Sequence, residues 1–226
     1  QPGQYAKALD FLQSKLLNPV SDAVFESTKA STLASVAKFE ETEHEERVFE
    51  HLHATAFQNT PLSLQVRGTG ESLEGLENID LTNFAQSHFK SSNAVIVGTG
   101  NVNHDELVKA VETKVSLLSG EKPVQKKKSS FLGSEVRLRD DTLPKAWISI
   151  AAEGESLSSP NYYVAQVAAQ VFGSFNAAEP ASNLQGVKLI DEVNEYHICD
   201  SFDHFSVSYK DSGLWGFRTT ISDPHN

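Results

Sequence analysis

The spacing of apolar residues predicts that the first half of the chain is mostly helical. One stripe ends before Asn18 and Pro19, because proline cannot continue a helix, and it consists of Tyr5, Ala8, Leu9, Leu12 and Leu16. A longer stripe follows a cap at Ser21 and Asp22 and consists of Phe25, Thr28, Thr32, Val36 and Phe39. It resumes as Val48, Phe49, Leu52 and Ala56. A run of glutamates between residues 40 and 46 interrupts it and predicts a kink or a joint between two helices.

Shorter patterns follow Pro61. We expect Asp80 to cap a helix that runs through Phe84 and Phe89. The apolar residues 93–98 predict a short strand, and Asn103 or Asp105 begins the next helix. The sequence therefore predicts one strand-and-helix unit at the end of a helical region.

The pattern changes beyond a polar linker around the lysine run Lys126–Lys128. Alternating or apolar runs predict strands at 135–139, 146–152, 202–209 and 214–217, and residues 209–213 are typical of a hairpin turn. Ser159 and Pro160 open a helix with the stripe Tyr163, Val164, Val167, Ala168 and Val171. We therefore predict two parts of different character, the second built around a sheet.

Composition narrows the functional classes. The 226 residues carry 19 basic and 30 acidic side chains, and a net charge of −11 opposes binding to nucleic-acid phosphates. No apolar run approaches a membrane span of roughly 18 residues. The single cysteine, Cys199, excludes an internal disulfide and favours a reducing compartment. The chain has no methionine, and we expect both ends to be cut from a longer protein.

Three groups of residues invite a chemical interpretation, and each has a simpler one. Gly98 and Gly100 precede a helix as in a dinucleotide loop, but Asn103 replaces the third glycine. Cys199 adjoins two possible catalytic partners, His197 and Asp200, in sequence only, and a lone cysteine is more often a small buried residue. The lysine run Lys126–Lys128 is typical of a solvated linker, with contact to an acidic partner as the alternative.

Histidines near the glutamate run suggest a metal site, but their spacing opposes it. Zinc on a helix needs two histidines at positions i and i+4, whereas His51 and His53 splay by about 200°. His44 lies two turns before His51. The inverted zinc motif HxxEH has a near match at residues 47–51, but its first ligand position is Arg47. A solvated acidic helix face explains this cluster without a metal.

Four segments carry a resemblance to a known family: residues 50–62, 93–102, 131–150 and 209–217. They are similar to the mitochondrial processing peptidase family of pitrilysin-like zinc peptidases, and within it most similar to the core-subunit branch found in fungal respiratory complex III. The resemblance implies an α+β fold with antiparallel sheets flanked by helices. It also implies parts of two similar domains: the C-terminal part of the first at 1–120, a linker at 121–134, and the N-terminal part of the second at 135–226.

The same resemblance implies a lost metal site. Active members hold zinc with an HxxEH motif, which we expect upstream of this chain, and with a glutamate on the long helix before the segment 52–57. Alignment without gaps places that third ligand at Val36, whose isopropyl group offers no electron pair. Glu40, one helical turn further, is the alternative if the register slips.

The resemblance thus implies a non-catalytic core subunit of complex III, with no catalytic residue, cofactor or metal. Its partners would be a second core protein and the other subunits, without nucleic acid, and it would touch the membrane only through them, on the matrix side of the mitochondrial inner membrane. Its role would be assembly and stability of the complex. One alternative is the zinc-dependent β subunit of the processing peptidase. A weaker alternative is the substrate-binding α subunit, whose glycine-rich loop is not found in these segments.

Overall fold

The computed structural model describes residues 4–16, 19–115, 127–179 and 188–222. The chain divides into two compact units: Gln1–Ala34 with Gly70–Gln125, and Ser35–Thr69 with Lys126–Asn226. The elements in chain order are α1 Tyr5–Leu16, α2 Asp22–Thr42, α3 His44–Ala56, α4 Gly70–Glu74, α5 Asn78–His88, α6 His104–Lys114, β1 Ala146–Gly154, α7 Tyr162–Phe172, β2 Ser174–Asn176, α8 Lys188–Tyr196, β3 Ser201–Ser208 and β4 Gly213–Ile221. The predicted α+β class is confirmed.

The first unit is helical. Helix α1 packs against α6, where the Tyr5 hydroxyl donates to Glu106 at 2.9 Å and Lys114 pairs with Asp10 at 2.6 Å. Asn103 caps α6 as predicted, because its side chain accepts from the Glu106 amide at 3.2 Å. The sequence therefore identifies the start of this helix correctly.

Two predictions in the first unit are wrong. Asp80 is not the cap of α5: Glu77 is the cap, and Asp80 completes a capping box by accepting from the Glu77 amide at 2.9 Å. Residues 94–99 do not form the expected strand. Within the described part of the chain they have no neighbouring strand, and an apolar run without a ladder partner is not a strand. Val95 and Val97 are consequently exposed.

The joint predicted in the glutamate run is confirmed, since α2 ends at Thr42 and α3 begins at His44.

The second unit is built on an antiparallel sheet with the strand order β1-β4-β3-β2, and residues 209–212 turn the chain between β3 and β4. Phe49 of α3 packs edge-on against Phe205, whereas Phe172 of α7 stacks on His204. Because consecutive residues of a strand point to opposite faces, the two helices cover opposite faces of the sheet.

Two apolar clusters form the core of the second unit. One joins α3 to the sheet and contains Ala56, Phe57 and Leu214, with Phe131 and Tyr209 packed against it. The other joins α8 to β2 and β3 and contains Phe175, Ile190, Val193 and Phe202. Helix α8 has no counterpart in the sequence prediction, although Ile190 and Val193 have helical spacing.

The strand predicted at 135–139 is also wrong. Just before it the chain is held by Ser129, which accepts from the Leu62 amide at 3.1 Å, and by the Leu132 amide, which donates to Ala56 at 2.6 Å. Residues 133–140 are irregular, and Val136 and Leu138 are exposed. The first part of the linker predicted at 121–134, residues 121–126, lies outside the described residues. Lys126 belongs to this first part. The boundary of the linker stays a prediction.

Helix α7 begins at Tyr162, two residues after the predicted start, and its apolar stripe does not face the sheet. Ala169 is buried, whereas Tyr163, Val164, Val167 and Val171 are exposed. None of the helices in the described ranges combines the length and apolar content that crossing a bilayer requires.

Candidate functional site

Val36 lies where the sequence predicts it, on the inward face of α2. Its side chain is only 5% exposed, and Phe39 beside it is also buried. A cavity of about 60 Å³ lies within the second unit at this point. It is lined by Val36, Phe39, Glu40, Arg47, Glu50, His51, Gln65, Arg67 and Gly68. This small cavity is the candidate site, because it surrounds the position at which a zinc ligand is expected.

Two guanidinium groups line this cavity. Arg67 pairs with Glu50 at 3.2 Å and lies over the Phe39 ring at 3.9 Å from its centroid. Arg47 donates to the backbone carbonyl of Glu40 at 2.5 Å. The Glu50 carboxylate is therefore already paired, and the two guanidiniums balance the charges of the two carboxylates that line the cavity, Glu40 and Glu50.

These residues do not fit a zinc ion. The inward position holds an aliphatic side chain, and the alternative ligand Glu40 is exposed on the neighbouring turn. No three His, Cys, Asp or Glu side chains within the described residues lie close enough together to hold a metal. The role assigned to Val36, a vacated ligand position, remains a prediction about this cavity.

The three histidines near the glutamate run lie in three different environments. His44 packs on Trp147 with ring centroids 4.6 Å apart, and His51 lines the cavity beside Val36. His53 enters the core of the second unit. The structure does not bring them together, as their spacing on the helix predicts.

His53 forms the most connected polar contact of the core. Its Nδ1 lies 2.8 Å from the Phe49 carbonyl, and its Nε2 lies 2.7 Å from the Tyr209 hydroxyl. Because a carbonyl only accepts, Nδ1 carries the proton of the neutral ring and Nε2 accepts from the tyrosine. Burial raises the pKa of Tyr209, which keeps the hydroxyl protonated as a donor. This pair ties α3 to the end of β3 and has a structural role.

The other candidates also have structural roles. A Cβ on Gly98 would lie 2.6 Å from Leu107, so this glycine allows the chain to pass close to α6. Cys199 packs against the α8 cluster. Asp200 pairs with Lys145 at 3.2 Å, and a hydrogen bond from the Ser222 hydroxyl is the main cause of its lowered pKa. Lys127 and Lys128 are exposed.

The sequence interpretation missed the role of Arg218. This β4 residue pairs with Glu45 at 3.2 Å, Glu46 at 3.4 Å and Asp203 at 3.4 Å. Part of the glutamate run is therefore paired to the sheet rather than simply solvated. No local pattern reveals the pairs with Glu45 and Glu46, because these glutamates lie more than 170 residues from Arg218 in sequence.

Comparison with known proteins identifies the family. The profile described as "Peptidase M16 inactive domain" matches residues 77–226, and the one described as "Insulinase (Peptidase family M16)" matches residues 1–70. The chain belongs to the M16 peptidase family. The family predicted from the sequence is thus confirmed, and the larger match of this M16 chain is to a domain described as inactive.

Relatives from fungi are the most informative. The M16 chain is 62% identical over 223 residues to "Cytochrome b-c1 complex subunit 1, mitochondrial" of Saccharomyces cerevisiae, covering 96% of this chain and 49% of the relative. It is 35% identical to "Mitochondrial-processing peptidase subunit beta" of Neurospora crassa, covering 93% and 45%. The chain thus spans about half the length of the curated relatives it matches.

A solved structure agrees with the fold. A chain of "Complex III2 from Candida albicans, Inz-5 bound" superimposes with a TM-score of 0.86 at 40% identity, covering 96% of the M16 chain and 52% of that chain. The similarity to complex III subunits predicted from the sequence is therefore confirmed.

Proposed function

We propose that this M16 chain is part of a non-catalytic core subunit of ubiquinol–cytochrome c reductase, respiratory complex III. The subunit supports assembly and stability of the complex in mitochondrial electron transport. It pairs with a second core protein on the matrix side of the inner membrane and contacts the membrane only through other subunits. It binds no nucleic acid and contributes no cofactor of its own.

One observation carries the proposal. The identity of 62% to the yeast subunit extends over 96% of the chain, whereas the identity to the Neurospora crassa peptidase subunit is 35% over a similar span. A chain that shared the peptidase role would be expected to resemble the peptidase subunit more closely. The difference favours the complex III role.

The cavity around Val36 supports the non-catalytic part of the proposal. A three-ligand zinc site needs an oxygen donor at this position, and valine supplies none. The Glu50 carboxylate, which lines the same cavity, already forms an ion pair with Arg67. We assign Val36 to the vacated third-ligand position on this basis.

The domain organisation belongs to the same proposal. Residues 1–120 would be the C-terminal part of a first peptidase-like domain, 121–134 the linker, and 135–226 the N-terminal part of a second. The antiparallel sheet begins at Ala146 and lies within the last part, which supports the division, and residues 35–69 pack with it in one compact unit.

The zinc-dependent β subunit of the processing peptidase is the second candidate, favoured by the 35% identity noted above. It would require an upstream HxxEH motif and a carboxylate that replaces the missing donor at position 36. Exposed Glu40 is the nearest such group on α2.

Isolation of the full-length protein through an affinity tag distinguishes the two candidates. The proposal predicts that haem-containing complex III copurifies with it, and that the preparation neither cleaves a presequence peptide nor holds stoichiometric zinc. A preparation with bound zinc and peptide cleavage, but without complex III, would support the peptidase instead. A tagged unrelated matrix protein serves as the control for non-specific copurification.

A further inference from the structure

Three polar side-chain atoms of the second unit are buried without a hydrogen-bond partner. Among the described residues, nothing bonds to the Ser206 Oγ, the Ser208 Oγ or the Trp215 Nε1, and all three atoms are enclosed from solvent. Folded proteins rarely leave a buried hydroxyl or indole N–H unpaired, because the group loses its hydrogen bonds to water on burial. Each of the three atoms therefore needs a partner that the described side chains and backbone do not supply.

The sheet brings these three side chains together on one face. Ser206 and Ser208 are two residues apart on β3, and alternate residues of a strand share a face. Trp215 of β4 is the cross-strand partner of Ser206. Helix α7 covers this face, since Phe172 packs edge-on against Trp215 with ring centroids 5.6 Å apart, and the Gln166 side-chain amide donates to the Ser206 carbonyl at 2.9 Å. The unpaired atoms therefore share one layer between α7 and the sheet.

The spacing of the two serines suits a single bridging oxygen atom. Residues i and i+2 of a strand are about 6.6 Å apart. An oxygen that forms two hydrogen bonds of about 2.8 Å spans up to about 5.6 Å, and rotation of the two hydroxyls closes the remainder. The indole N–H of Trp215 only donates, whereas a hydroxyl both donates and accepts. The bridging group must therefore accept hydrogen bonds as well as donate them.

Water meets these conditions, and larger groups do not. A buried water typically forms about three hydrogen bonds, which matches the three unpaired atoms. A metal ion does not suit the layer, because the Trp215 N–H offers a proton and no electron pair. A larger ligand, or a side chain from another subunit, would have to displace α7 to reach atoms that are already enclosed.

We propose that Ser206, Ser208 and Trp215 bind an ordered water molecule that bridges β3 and β4 beneath α7. The water accepts a hydrogen bond from the Trp215 N–H and connects the two serine hydroxyls. This site lies wholly within the second unit and does not depend on the proposed role in complex III.

A density map of the full-length protein in its native assembly, at a resolution that shows ordered water, tests the site directly. We expect a peak about 2.7–3.2 Å from at least two of the three atoms. The absence of a peak in this layer would overturn the proposal, as would a protein group bonded to these atoms in its place.

Serine substitutions test the same site in solution. Removal of a hydroxyl that binds water should destabilise the full-length protein, whereas removal of an unpaired buried hydroxyl should stabilise it. We therefore expect Ser206→Ala and Ser208→Ala each to lower the midpoint of thermal unfolding by a few degrees. The double substitution should lower it by less than the sum, because the two hydroxyls share one water.

Ser130→Ala is the control, since Ser130 is exposed in the same unit, and it should leave the midpoint unchanged. A higher midpoint in Ser206→Ala or Ser208→Ala would show that the hydroxyls have no bound water. Strictly additive losses in the double variant would show that no water is shared between them.

Discussion

At the scale of the residue, the chemistry of position 36 depends on what surrounds it. Val36 is buried in a small cavity together with Phe39, and the charged groups there are two guanidiniums, the Glu50 carboxylate paired with Arg67, and the exposed Glu40. The helical period places Val36 inward from sequence alone. The approach of Arg67 to Phe39 is not predictable in that way, because it depends on how a loop folds back over α2.

A carboxylate at this position should destabilise the protein without creating a metal site. We expect Val36→Glu to lower the free energy of unfolding by about 2–3 kcal/mol in urea titrations, because it removes a carboxylate from water at a position where Val36 is only 5% exposed. Ser35→Glu changes the charge equally at an exposed neighbouring position and should alter stability by less than about 0.5 kcal/mol. Stoichiometric zinc in dialysed Val36→Glu would contradict our assessment of the donor set.

The hydrogen bond between His53 and Tyr209 should stabilise the second unit. Tyr209→Phe leaves Nε2 of a partly buried histidine without its donor, so we expect a loss of about 1–3 kcal/mol in the free energy of unfolding. Tyr196→Phe, at an exposed position on α8, is the matched control and should have little effect. Equal effects of the two substitutions would contradict the assigned bond.

The same tyrosine gives a pH dependence. Burial raises the pKa of Tyr209 above its ordinary value of 10.0, so the folded protein holds this proton more tightly than the unfolded chain. Its contribution to stability is therefore complete below pH 10.0 and is lost as the pH rises through the folded pKa. The wild type should lose stability more steeply than Tyr209→Phe in this alkaline window.

At the scale of the element, the sequence predicts best where local pattern and tertiary partner agree. Strands β1, β3 and β4 and the joint between α2 and α3 follow directly from periodicity. Residues 94–99 and 135–139 have strand-like sequences but no ladder partner within the described chain, and a strand needs one. Periodicity correctly predicts that α7 is a helix, but periodicity alone does not tell which face of α7 packs against the sheet.

The core of the second unit depends on Leu214 of β4. Its side chain is 0% exposed and packs against Ala56 and Phe57 at the end of α3. We expect Leu214→Ala to reduce the free energy of unfolding by about 2–5 kcal/mol, through lost burial and the cavity left behind. Leu138→Ala removes the same atoms from a side chain that is 67% exposed. It should change the free energy of unfolding by less than about 0.5 kcal/mol. Similar losses in urea unfolding would contradict the described packing.

The pairing of β1 with β4 depends on Gly216. A Cβ there would lie 2.1 Å from the Ile150 carbonyl oxygen and 2.7 Å from the Ala151 Cα. Gly216→Ala should therefore force the two strands apart, reduce stability by about 1–3 kcal/mol and speed hydrogen exchange of the β1 amides. Gly133→Ala meets only the edge of the Phe131 ring at 4.0 Å and serves as the control. Unchanged exchange in β1 would show that the strands are not paired in this register.

At the scale of the whole molecule, the proposed structural role rests on the similarity to complex III subunits. The net charge of −11 opposes nucleic-acid binding, and the described residues hold no cluster that suits a metal. The family was predictable because four segments match it. Long-range pairs such as Arg218 with Glu45 were not, because no local pattern joins residues from the two ends of the chain.

The amount of assembled complex III in cells depleted of the full-length protein tests the central claim most directly. Depletion should remove the assembled complex from native gels and abolish ubiquinol–cytochrome c reductase activity, while mitochondrial precursors are still cleaved to their mature forms. Re-expression of the wild-type protein should restore both the complex and its activity. Accumulation of uncleaved precursors while complex III stays intact would contradict the account.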